Sequence, residues 1–515
     1  MQDSNRKKAK LEDRDRISKL SDDVIHQILS YLDARLAVQT SVLSKRWKLV
    51  WTTLPFLNFY GCNKHREKKL SNFLYSNLMN HVFSRRDHKS RLLKVQLCPS
   101  DGLISLMKKC VRQAISHDVE CLHVKSDRYC LLSTFSSASL KELNLTMKLK
   151  SVDVMESHCW SLPHLTTLTL KSNESNKICK VPESCLICLP ALTTLSLEKC
   201  ELPELFRLPC LTSLSLERCS LPKKVWDFPA LITLELINMV FPKNMSDYFL
   251  ALASLRNLVI DFGRHCIGRL VISSSQLVNL KIKVSYCAVH VLKDKIVVLA
   301  PKLCNFEANG FFRMAYEGPE LETVSIKFWH WFCSKDLRDC QDVVETMFLQ
   351  LGSAKILSLD KETIQVLSQY PGILARLPCP FYNLKYLKLP HGCIESSIFS
   401  AVRNYLLGGS PGATIVKPMP QDNVITQMTP AISLSAQNVV QEKALQTPTK
   451  KLSDITNNST GMVQKIKDPV AVASNVPATS DLQTLRVERM THSESSPTKG
   501  TSLAVTAGYL GDDIL

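Results

Sequence analysis

Apolar positions recur along the middle of the chain as L-x-x-L-x-L, at a spacing that suggests stacked units. The clearest copies are Leu140/Leu143/Leu145, Leu165/Leu168/Leu170, Leu192/Leu195/Leu197, Leu211/Leu214/Leu216 and Leu231/Leu234/Leu236, which start 25, 27, 19 and 20 residues apart. The pattern continues as Leu255/Leu258/Ile260, Leu277/Leu280/Ile282, Leu303/Phe306/Ala308 and Leu321/Val324/Ile326. Weaker copies flank it at Leu92/Val95/Leu97, Val119/Leu122/Val124, Ala354/Leu357/Leu359 and Leu384/Leu387/Leu389. The last two apolar positions of each copy are two residues apart, so both point to one face of a short strand. One such strand cannot bury that face alone, whereas stacked copies build a continuous core. Three copies carry a polar or thiol residue three positions later, Asn173, Cys200 and Cys219. There it can turn inward and satisfy backbone groups where the chain bends.

Residues alternating with the inward leucines face outward on a concave sheet. Glu198, Glu217 and Asp261 are expected in one column, with Glu235 in the neighbouring one and Lys281 and Lys283 where the acidic strip stops. Such a strip reads either as a solvated face whose charges are screened by salt or as a surface that attracts Lys or Arg on a partner.

Upstream the period changes from two to that of a helix. Leu70, Leu74, Leu78 and Val82 are four apart, with Phe73 beside them, and predict an amphipathic helix ending in a basic loop. "LISLMKKCVRQAIS" predicts a second helix, and both are placed to cap the first rungs. Between Asp15 and Phe59, Val24, Ile25, Ile28, Leu29 and Leu32 follow helical spacing behind an N-cap signal at Ser21 and Asp22. Trp47 and Trp51 are one helical turn apart, surrounded by Lys45, Arg46 and Lys48. A unit of about 45 residues is near the lower limit for independent stability, and it holds more apolar residues than its own core can hide.

The residues Asp15-Arg16-Ile17-Ser18, Leu20, Asp22-Asp23, Ile28-Leu29-Ser30-Tyr31-Leu32, Ala37-Val38, Thr40-Ser41-Val42-Leu43-Ser44-Lys45-Arg46-Trp47 and Trp51 resemble a plant F-box protein of the F-box plus leucine-rich-repeat class. The likeness covers about residues 15 to 400. It implies a non-catalytic substrate-receptor subunit of a ubiquitin ligase. The F-box would bind a Skp-type adaptor and, through it, a cullin, while the repeats capture an unidentified protein. The adaptor-binding residues it implies are Leu20, Ser21, Val24, Ile28, Leu29, Leu43, Lys45, Arg46, Trp47 and Trp51, with aromatic anchors in a helix-in-groove contact. Substrate-binding residues would be Glu198, Glu217, Glu235 and Asp261. The family usually has Leu-Pro where this chain has Leu20-Ser21. The other reading is a repeat scaffold with no ligase role, in which the F-box-like segment is only a cap.

Composition narrows the remaining options. The net charge of +17 is uneven. From Arg35 to Lys94 there are 13 Lys and Arg against Glu67 and Asp87, a net of +11, whereas from Pro418 onward 8 basic and 9 acidic residues give −1. The basic excess suits an acidic partner. The tryptophans within it are explained by helix packing, so direct nucleic-acid binding is not expected. The start of the sequence has no apolar signal region and no run is long enough to span a membrane, so the 19 cysteines are expected as reduced thiols in the nucleus or cytoplasm. Arg6 to Lys10 is a candidate nuclear import signal, and Thr447 and Ser496 are candidate proline-directed phosphorylation sites. Cys185 and Cys188 lack the second pair that a zinc site needs. No catalytic, metal or cofactor motif emerges.

The chain therefore reads as an α/β protein: a basic disordered N-terminus (1–14), a small helical F-box (15–59), a linker helix (60–91), a leucine-rich-repeat solenoid of stacked parallel strands (92–405) and a disordered tail (418–515).

Overall fold

A computed structural model describes residues 20–60, 68–98, 104–126, 136–147, 160–173, 179–181, 186, 189–203, 207–221, 227–241, 245–263, 270–284, 295–328, 337–390 and 400–416, all within a compact unit that ends at Val424. The Arg6–Lys10 run, Asp15–Ser18, Cys185, Cys188 and the tail with Thr447 and Ser496 lie outside the described residues.

Every copy of the repeat is a strand of one parallel sheet. In chain order the strands are β1 (Phe56–Asn58), β2 (Lys94–Leu97), β3 (Cys121–Ser126), β4 (Glu142–Met147), β5 (Thr167–Ser172), β6 (Cys179–Lys180), β7 (Thr194–Glu198), β8 (Cys200–Glu201), β9 (Ser213–Glu217) and β10 (Thr233–Ile237). They continue as β11 (Asn257–Asp261), β12 (Leu270–Ser273), β13 (Asn279–Lys283), β14 (Lys295–Leu299), β15 (Asn305–Asn309), β16 (Arg313–Glu317), β17 (Thr323–Lys327), β18 (Ile356–Leu359), β19 (Tyr386–Lys388) and β20 (Thr414–Val416). The main sheet has 15 strands in the order β1-β2-β3-β4-β5-β7-β9-β10-β11-β13-β15-β17-β18-β19-β20. Leu195, Leu214, Leu234 and Leu258 are direct partners across successive strands, and each is at most 1% exposed. This unstaggered leucine row is what a single rung could not bury for itself.

The sheet runs past both ends of the expected solenoid. β1 belongs to the N-terminal helical unit, and its Leu54, Leu57 and Phe59 repeat the same spacing one rung earlier, all buried. β20 follows the last copy. A second parallel sheet, β12-β14-β16, was not anticipated. Its alternating Leu270/Ile272, Ile296/Val298 and Met314 lie between copies of the main repeat, in stretches too short to stand out.

The turns between rungs have a shared conformation. Lys199, Arg218 and Asn238 follow their strands in the left-handed region, with φ of 56°, 53° and 52°. Each donates its backbone N–H to the next rung, at Glu217 O, Ile237 O and Asp261 O. The following residues, Cys200, Cys219 and Met239, then point inward. The Cys219 thiol lies 3.3 Å from Leu197 O and the Cys200 thiol 3.4 Å from Glu198 O, as the sequence suggested for these two positions. Asn173 is half-buried.

The linker helix spans Lys68–Arg85, but its packing face is rotated by one residue from the expected one. Tyr75, Met79, Val82 and Phe83 are buried, whereas Leu74 is 40% exposed. The aromatic rings decide this. Phe59 packs edge-on against Tyr75 and stacks on Phe83, at centroid distances of 6.1 and 6.0 Å. The second predicted helix spans Ile104–Ser116 and buries Cys110, Val111 and Ala114.

Candidate docking face and open sheet face

The N-terminal unit is built from short helices, Asp22–Ser30, Ala34–Gln39 and Trp47–Val50, joined by tight turns. Asp33 caps the second helix by accepting Leu36 N–H at 2.8 Å. Ser21 occupies the N-cap of the first helix but makes no side-chain cap bond. The helices fold inward on Ile25, Leu29, Ala34, Ala37, Trp47, Val50 and Trp51, all buried. Trp51 also stacks on His81 of the linker helix at 5.6 Å. Arg46 reaches across to Asp22 at 2.5 Å and ties the third helix to the first.

Both indoles are thus interior, each 5% exposed, and belong to the core instead of to the exposed apolar surface. The apolar surplus lies elsewhere. Val24, Ile28, Tyr31, Leu36, Val42, Leu43 and Leu49 are exposed within 26 residues, with Val42 at 85% and Leu43 at 63%. An apolar cluster of this density on so small a unit is the usual mark of a protein contact. Lys45 and Lys48 are exposed among these residues.

Arg86 is a residue that pattern reading missed. It is 4% exposed, and its guanidinium donates to Leu54 O, Ser90 O and Arg91 O. Burial pulls its pKa down to about 10. This side chain closes the junction between the helical unit and the first rungs. A lone basic residue in a basic loop gives no signal in sequence; only three converging carbonyls reveal it.

On the open face of the sheet the expected columns form. Glu198 is the direct partner of Glu217, Ile237 follows, then Asp261 and Lys283, while Glu235 lies in the neighbouring column. The acids are not free, however. Glu198 lies 3.8 Å from both Lys171 and Arg218, and Glu217 lies 3.3 Å from Arg218. Asp261 is buried, accepting from Gly263 N–H at 2.9 Å and from Lys283 at 2.8 Å. Gly263 turns at φ +56°, and a Cβ there would meet Asn238 Oδ1 at 1.5 Å. Lys281 does not end the strip as an open cation, because it pairs with Glu307 at 3.1 Å. Glu235 accepts from the Ser215 hydroxyl at 3.0 Å. Glu217 is pushed up from the usual carboxylate range by burial and by the adjacent Glu198 charge.

Among the described residues no cluster of three His, Cys, Asp or Glu side chains is arranged to hold a metal ion, and no helix is long and apolar enough to cross a membrane.

The F-box domain family matches residues 17–59, the segment that carries the apolar face. The chain is 30% identical over 196 residues to F-box/LRR-repeat protein 25 of Arabidopsis thaliana, covering 36% of this chain and 69% of that protein. The chain belongs to the F-box/LRR-repeat family. An F-box/FBD/LRR-repeat protein of the same plant is 26% identical over 386 residues, 73% of this chain and 68% of its own length. An FBD-associated F-box protein is 33% identical over 194 residues, covering 35% of this chain. The chain spans under half the length, 44 to 46%, of the first such relatives it matches.

Within this F-box the ten residues implied for adaptor binding divide in two. Ser21, Val24, Ile28, Leu43 and Lys45 are exposed, with Leu20 and Arg46 half-exposed. Leu29, Trp47 and Trp51 are interior. Tyr31, Leu36, Val42 and Leu49 are exposed neighbours outside those ten. Their signal was present as apolar side chains off the buried stripe of each short helix, which becomes visible only once that stripe is fixed.

Proposed function

We propose that this protein is the substrate-recognition subunit of a Skp–cullin–F-box ubiquitin ligase. The observation that carries this reading is the density of exposed apolar side chains on the F-box, Val42, Leu43 and Leu49 foremost, over a core that holds Trp47. A Skp-type adaptor would cover it, and Lys45 and Lys48 suit an acidic rim on that partner. The F-box joins the repeat sheet through β1, so a target held on the sheet would be positioned relative to the adaptor. The contribution to ubiquitination is proximity: a substrate lysine is kept near a separately bound ubiquitin carrier.

Binding of the full chain to a purified Skp-type adaptor tests the reading. Leu43→Asp combined with Val42→Asp should weaken binding by roughly thirtyfold or more, as for a buried hot-spot pair, while circular dichroism stays unchanged. A wild-type chain that is folded but shows no adaptor affinity would favour the repeat scaffold without a ligase role.

For the target, the open sheet face remains the proposed capture surface, with a basic segment as the fitting partner. A lysine arriving beside Glu217 would relieve the unfavourable proximity of Glu198. Asp261 is set aside from this role because its carboxylate holds the turn at Gly263. Changing Glu198, Glu217 and Glu235 to Lys together should abolish target capture and leave adaptor binding intact. Normal ubiquitination by that variant would move recognition to another surface.

A further inference from the structure

An open groove of about 620 Å³ crosses four successive rungs behind the main sheet. It lies at the carboxyl ends of β12, β14 and β16. Small residues from consecutive turns line it, namely Ala253, Ser274, Ala300 and Gly318. Leu250, 62% exposed on the helix Met245–Ala251, forms one wall, and the exposed Glu317 lies at the rim. The volume falls within the range of small-molecule sites.

Two polar features point to the kind of guest. Ser274 is 5% exposed and its Oγ is buried without a hydrogen-bond partner, a costly arrangement in a protein interior. Glu317 makes no ion pair among the described residues. The backbone beside the groove is already paired, Ser274 N–H to Leu299 O and Ala300 N–H to Glu317 O. These bonds use the groups that an extended peptide would pair with, which favours a small molecule.

We infer that this groove binds an elongated amphiphile with an apolar body and a cationic amine at one end. The body lies along the small-residue floor, whose four rungs span about 14 Å at the usual strand spacing. The amine meets Glu317. One χ1 step between staggered wells gives the Ser274 hydroxyl a partner on the guest. The groove is built from the repeats and contains none of the F-box residues of the adaptor face, so a failure here leaves the ligase reading untouched.

Calorimetry with the full chain and dodecylamine, dodecanol and dodecanoate tests this, each used below its aggregation threshold. Saturable binding in the order amine, alcohol, carboxylate is expected. Ala253→Trp, at the exposed end of the floor, and Ser275→Trp, at the exposed rim, should abolish binding without lowering the melting temperature. Glu317→Gln should bring the amine down to the level of the alcohol. Ser274→Ala should weaken the amine roughly tenfold, yet raise the melting temperature of the free protein by removing an unpartnered buried hydroxyl. A purely structural serine would move only the second quantity. Absence of saturable amine binding, a carboxylate that binds as tightly, or full binding by Ala253→Trp would each overturn the proposal.

Discussion

The F-box and the repeat sheet dispose of their apolar residues in opposite ways. Among the described residues, seven large hydrophobic side chains are exposed between Val24 and Leu49, whereas only six are exposed between β2 and β20, a stretch several times longer. A repeat needs no outside partner because the next rung covers it, leaving its open face to polar residues such as Thr194, Ser196 and Ser213. A unit of three short helices has no such neighbour on its outer side. The difference shows that apolar density alone does not locate an interface. What matters is whether the fold supplies a cover.

The largest expected effect comes from breaking that contrast inside the F-box. Trp47→Ala should destabilise the unit by about 3–5 kcal/mol, as for a large buried side chain, and thereby weaken adaptor binding indirectly. Leu43→Ala should change stability by no more than about 0.5 kcal/mol while weakening the adaptor directly. Denaturant titration and adaptor binding of both variants separate support from contact. Equal stability losses would mean that the two residues share one environment.

Next in size is the junction between the two regions. Arg86→Ala leaves three carbonyls without their donor and should cost about 3 kcal/mol, lowering the unfolding midpoint. Arg86→Lys should recover only part of this, because an ammonium cannot match the guanidinium fork. Full recovery with lysine would show that charge, not geometry, holds the junction.

A smaller, pH-dependent effect is expected at the same place. His117 packs against Phe83 and stacks on His88, each at 5.2 Å. Burial, then the neighbouring His88 and Arg86, pull its pKa below the ordinary 6.5, with Asp118 acting the other way. The unfolded chain therefore binds this proton more readily than the folded one. Stability should fall as pH drops through 6.5 and level off below the depressed folded value. Melting curves between pH 8 and 5.5 should show that fall in the native chain and a flatter profile in His117→Phe. Glu142, held low by the His123 hydrogen bond at 2.7 Å, acts in a separate window, contributing stability that is lost below about pH 4.5.

The smallest change is expected at the position where this chain departs from the usual Leu-Pro. Ser21 has φ −65°, which proline prefers, and its hydroxyl makes no cap bond. Ser21→Pro should therefore stabilise the F-box by up to about 1 kcal/mol through the unfolded state and tighten adaptor binding. A loss of stability would mean that the ring collides with Leu20, the residue just before it.

The leucine periodicity by itself determined the parallel sheet, because each copy specifies one strand and the pleat leaves no choice of which residues face inward. It also determined the columns on the open face, since register between equal rungs is fixed by stacking the same leucines. Helical spacing located the small N-terminal unit and showed that its apolar residues exceeded its core, while the resemblance of its motif residues is what marked it as an F-box. Which of them are surplus was decided only by the tertiary structure. In short helices several stripes satisfy the same period, and contacts such as Trp51 on His81 and Phe59 on Phe83 select one of them. The pairing of Glu198, Glu217 and Asp261 with Lys171, Arg218 and Lys283 was likewise a matter of side-chain reach across and along the rungs, which column order does not contain. The Arg86 junction depends on Leu54 folding back beside the Arg86 side chain, and the groove at Ser274 on the turns of four successive rungs lining up, and no local pattern encodes either meeting.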